Sequence, residues 1–61
     1  MNKVVKILME RDEIGQETAE ALVRETRDEL INLENPLEAD DIIKEYLELE
    51  PDYIFDILDM K

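Results

Sequence analysis

The sequence predicts a small all-α bundle of three to four helices, over residues 2–11, 16–33, 36–47 and 52–59, with completion by a second copy as an open alternative. Three observations carry that expectation. Ala19, Leu22, Val23, Thr26, Leu30 and Leu33 recur at helical spacing and form one stripe about 100° wide. Both prolines, Pro36 and Pro51, stand where the first position of a helix is expected and precede apolar segments. Apolar residues are 44% of the 61, enough for a core even though 41% are charged.

The first segment, residues 2–11, places Val4, Ile7, Leu8 and Arg11 on one face. Val5 and Met9 widen the apolar arc beyond half the circumference, as in a helix buried on more than one side. Helix is favoured because the run from Lys6 to Arg11 is built mostly of good helix formers. A strand through Val4–Met9 is the alternative that the paired valines permit. Asp12-Glu13-Ile14-Gly15 is the first break. Gly15 suits an N-cap, and Ile14 occupies the position of a hydrophobic staple.

The second helix carries the stripe on one face and Glu20, Arg24 and Asp28 at i,i+4 spacing on the other. Ile31 lies off the stripe. The next break, Glu34-Asn35-Pro36-Leu37-Glu38, contains a good N-cap in Asn35, a proline at the first helical position and an acid where a capping box closes. Ala39, Ile42, Ile43, Tyr46 and Leu47 form the expected buried side of the third helix, with Asp40 and Asp41 favoured by the dipole of its first turns. After Glu48-Leu49-Glu50-Pro51, a short segment bears Tyr53, Ile54, Phe55, Ile57 and Leu58. So short a helix is stable only if it docks. Tyr46, Tyr53 and Phe55 read as core residues; an aromatic left exposed among acids would instead anchor a protein contact.

Composition narrows the function classes. No Cys and no His are present, which removes a disulfide scaffold, a thiolate zinc site and the commonest general base. One Gly leaves no phosphate-cradling loop. The clusters Asp12-Glu13 with Glu17, and Asp40-Asp41, lack the loop pattern of a calcium site and read as solvated acids. Paired carboxylates do acid–base work only in a desolvating pocket, for which so short a chain has little room. No catalytic residue, cofactor or metal is therefore expected. The first residues are too broken by Lys for a secretory segment, and no apolar run is long enough to span a membrane. A cytoplasmic location without membrane contact is the expectation.

The charge is uneven. The formal net charge is −11, with 6 acids and 5 bases up to Arg27, then 12 acids and 2 bases from Asp28 onward. Without a basic stripe, direct binding to nucleic acid is disfavoured. A basic protein surface is the favoured partner, and the candidate contact residues are Glu38, Asp41, Glu45, Glu48, Asp52 and Asp56. A sharper version has these acids mimic a nucleic acid. The competing expectation is a homodimer with a seam at Val5, Met9 and Ile31, set against coverage of the first helix by the fourth within one chain.

Two segments together carry a resemblance. One is Leu8-Met9-Glu10-Arg11-Asp12 followed by Glu17, Ala19, Leu22, Val23, Glu25, Arg27, Glu29 and Leu30. The other is Glu45-Tyr46-Leu47, then Leu49-Glu50-Pro51-Asp52-Tyr53-Ile54-Phe55-Asp56. Over most of its length the chain resembles a family of short acidic proteins encoded by phages and mobile elements of Gram-positive bacteria. The resemblance implies a helical fold and an origin of that kind, and no chemistry. This chain departs from the pattern where Glu13 and Glu48 replace Gly at helix C-termini, and where Gly15 replaces a Ser or Thr N-cap. A weaker likeness to ubiquitin-associated three-helix domains, through Leu8-Met9-Glu10, fails at Arg11-Asp12-Glu13-Ile14, which lacks their Gly-aromatic loop.

Overall fold

The computed structural model describes residues 2–60 and is all-helical over them. Helix α1 spans Lys3–Asp12, α2 Gln16–Ile31, α3 Ala39–Leu47 and α4 Ile54–Leu58. Short 3-10 turns, Pro36–Glu38 and Pro51–Tyr53, lead into α3 and α4. The alternatives left open for Val4–Met9 resolve as helix.

Each of α1, α3 and α4 packs against α2, and α4 also meets α1. The α2 stripe is the reason. Ala19, Val23 and Thr26 are fully buried on it, with Leu22 and Leu30 packed at its margin. Thr26 is tolerated there because its hydroxyl donates to the Leu22 carbonyl at 2.9 Å, one turn back. Val4, Val5 and Leu8 from α1, Ile43 and Leu47 from α3, and Ile57 from α4 complete the core. Coverage of α1 is thus supplied largely from within the chain.

The helix ends follow local chemistry. Asn2 caps α1: its Oδ1 accepts from the Val4 N–H at 2.8 Å. Gly15 is the N-cap of α2 and has no side chain to offer, while Ile14 behind it packs on the core. Helix α2 stops at Ile31, two residues short of the expected 33. Asn32 ends it by donating its side-chain amide to the Asp28 carbonyl at 2.8 Å, beside its own backbone N–H at 3.1 Å. Asn35 caps the next segment by accepting from the Leu37 N–H at 3.1 Å. The expected helix over 36–47 therefore begins as a 3-10 turn, with Glu38 N–H bonded to the Asn35 carbonyl. The segment over 52–59 likewise divides into a turn and a five-residue helix.

Glu13 and Glu48 occupy the left-handed region, at φ 53° and φ 54°. Each is the residue after a helix, where glycine ordinarily reverses the chain. A Cβ there costs about 1–2 kcal/mol, so both turns are formed against local preference.

Two aromatics depart from the core reading. Phe55 is 80% exposed. It lies two residues before Ile57, about 200° round the helix from the side that docks. Tyr46 is 42% exposed because Ile43 and Leu47 define the inward line of α3 and leave it at the edge. Tyr53 is half-buried against the core, with the Lys3 ammonium 5.5 Å from its ring centroid.

These local conflicts make the caps a quantitative test. Glu13→Gly and Glu48→Gly are each expected to raise stability by about 0.5–1 kcal/mol, the relieved strain less the added freedom of the unfolded chain. Gly15→Ser is expected to add a similar amount, since a Cβ at Gly15 meets nothing within 4 Å. Urea denaturation reads all three as a shifted midpoint with unchanged slope.

Candidate interaction surface

The outer line of α3 is acidic by construction. Glu38, Asp41, Glu45 and Glu48 follow one another at spacings of three, four and three residues, so they share one side of the helix and its two ends. All four are exposed, and Ile43 and Leu47 occupy the opposite, buried side. Asp52, exposed, and Asp56, half-buried, carry the acids onto the following turn and α4. Of the six candidate contact residues, five are freely presented and Asp56 partly so.

Two cations of the first half, Arg11 and Arg27, reach across to the second. Arg11 grips its neighbour Asp12 through Nε and Nη2, both at 2.9 Å, and donates Nη1 to the Glu48 carbonyl at 3.2 Å. Arg27 donates to the Met60 carbonyl and pairs with Asp28 at 3.4 Å. Asn2 donates its amide to the Asp56 carbonyl at 2.7 Å. Three side chains of the first half thus fasten backbone carbonyls of the second, at the C-terminus of α3, on α4 and just past its end. The two ion pairs described, Arg11–Asp12 and Arg27–Asp28, join chain neighbours. Beyond its own pair, Arg11 is also attracted by the Glu48 carboxylate at the end of the acidic line.

These three fastenings were missed in the sequence reading. Asn2 offered a faint signal, being a cap-type residue ahead of an apolar run. Arg11, placed on the apolar face of α1, offered another: its stem lies along that face while its guanidinium extends outward, within reach of a neighbouring segment.

The hydrogen bonds from Arg11 hold the Asp12 carboxyl below the usual 3.8. Its contribution to stability is present above that value and fades as pH falls through the lowered one, and its exposure keeps it small. The acidic field has its own reporter. Glu29 raises the Tyr46 phenol above the ordinary 10.0, helped by partial burial and by Glu25 and Glu45. Glu25 and Glu29 lie on α2, and Tyr46 and Glu45 on α3, so the field builds where the two helices meet.

The self-association candidates separate. Val5 is in the core with no surface to offer, and Met9 is packed against that core. Ile31, at the end of α2, is 62% exposed. No group of three or more acids placed to hold a metal ion is found among the described residues. No helix among them is long and apolar enough to cross a membrane. No family model matches the chain, and neither a curated protein nor a solved structure matches it.

Spectrophotometric titration tests the field. Tyr46 is expected to ionise above 10.0, and added salt or Glu29→Gln should lower its midpoint towards that value. A Phe substitution at Tyr53 isolates the signal. Because the folded value is raised, the stability from this phenol is whole below 10.0 and is lost as pH climbs through the folded midpoint.

Proposed function

We propose that this chain is a non-enzymatic interaction protein, of the kind encoded by phages and mobile elements, that binds a basic host protein in the cytoplasm through the acidic side of α3 and α4. The observation that supports this most is the exposed line Glu38, Asp41, Glu45 and Glu48, of which Arg11 reaches only the Glu48 end, while Arg27 and Asn2 are engaged with carbonyls of α4 and beyond. A protein acidic for solubility alone would mix its charges over the surface. Here 12 of 18 acids and only 2 of 7 bases fall from Asp28 onward.

The nucleic-acid mimic is the sharper form of this reading. Ten residues of helix rise about 15 Å, and four acids are set along that length. One DNA strand carries a charge about every 3.4 Å, hence roughly four over the same distance. A protein groove built for a phosphate backbone would meet a comparable linear charge density.

The test compares the chain with a variant neutralised at Glu38, Asp41, Glu45 and Asp52, each as immobilised bait in a lysate of a Gram-positive host. The expected result is nucleic-acid-binding proteins retained by the native chain at low salt, released by high salt or by duplex DNA, and lost with the variant. Retention unchanged by neutralisation, or by salt, rejects the reading.

A second reading, a structural homodimer or assembly component, draws on the exposure of Ile31. It asks surfaces rich in like charge to approach each other. If it holds, sedimentation shows a dimer at micromolar concentration that Ile31→Glu converts to monomer. A native monomer under those conditions removes it.

A further inference from the structure

An apolar recess of about 210 Å³ is lined by Leu30, Leu33, Pro36, Ala39, Ile54 and Leu58. It lies where the end of α2 and the turn into α3 approach α4. Among the described residues, no charged side chain lines it. Its wall is partly open, Leu58 being 43% exposed, and Leu37, the chain neighbour of Pro36, is 85% exposed. Small-molecule sites ordinarily offer about 300–1,000 Å³, so this recess is sized for one or two side chains. Apolar pockets of that scale at protein surfaces receive the anchor residues of partners.

Charge identifies the partner. All six lining residues lie beyond Asp28, where the only bases are Lys44 and Lys61. Glu29, Glu34, Glu38, Asp40 and Asp59 each adjoin a lining residue in the chain, and all five are exposed. A second copy would bring the same acids against these. A segment carrying Lys or Arg on either side of an apolar residue meets them with opposite charge. We infer that the recess takes a single aliphatic or aromatic side chain projecting from a cationic segment of a partner protein. The inference rests on the acidic surface being a docking surface. It adds what charge alone lacks, a means of choosing among cationic partners.

The probes are fluorescent helical peptides of Lys and Ala, one bearing a central Leu and one without it, and a Glu and Ala peptide bearing the same Leu. Binding is read by anisotropy. Burying one leucine is worth about tenfold or more in affinity. The Lys peptide with Leu is therefore expected to bind about tenfold more tightly than its Leu-free match. Ala39→Leu, which fills the recess, should bring the two to one affinity without altering the weaker. Leu58→Gln, at the exposed wall, should do the same and stands in if circular dichroism shows Ala39→Leu unfolded. Equal binding of the two Lys peptides to the native chain overturns the inference and leaves the acidic docking surface standing. Binding of neither removes both. A Glu peptide that binds as well as the Lys peptide overturns the cationic partner, and a dimer abolished by Ala39→Leu assigns the recess to a second copy instead.

Discussion

Everything in this fold leans on one face of α2. Ala19, Val23 and Thr26 are sealed from solvent there, and the other three helices all dock against that helix. Neither α4, with five residues, nor α3, with nine, could persist alone in water. Their helicity is a consequence of docking. Small domains have little apolar surface to remove from water, and here the other three helices bury theirs chiefly against one central helix.

The remaining cohesion is polar and directional. Asn2, Arg11 and Arg27 reach from the first half of the chain to carbonyls of the second. The last carbonyls of a helix have no partner within it, so the Asn2 amide on Asp56 and the Arg11 guanidinium on Glu48 satisfy otherwise orphaned groups. The arrangement has a cost: the Arg27 Nε is buried with no partner among the described residues. It also leaves Glu38, Asp41 and Glu45 outside these contacts, with only Glu48 near a cation of the first half, Arg11. Arg11 and Arg27 hold the backbone, and the acids of α3 face outward.

Legibility followed the range of the interactions. The stripe of α2, the cap at Asn35 and the position of Ile14 before Gly15 are all decided within about five residues, and all could be read from the chain. Glu13 and Glu48 stand out only against the Gly that the resemblance implies, and both are left-handed in the structure. What could not be read is long-range. The bonds of Arg27, Arg11 and Asn2 cross 33, 37 and 54 positions, and no local pattern encodes such pairs. Phe55 was misplaced for a related reason: on so short a helix, apolar residues on every side leave the docking face to be chosen by the neighbours. The acidic residues of the candidate surface were legible as a charge imbalance. The recess beside α4 was not, because its six walls come from four separate elements and the links between them.

The bond between Asn2 and the Asp56 carbonyl has a consequence for the order of folding. It closes a loop of 54 positions, and the entropy lost on closing a loop grows with its length. Helices α1 and α2 are joined by three residues, so their pairing carries little of that loss. Asn2 therefore meets α4 as a late event, once the intervening helices have docked and shortened the path between them.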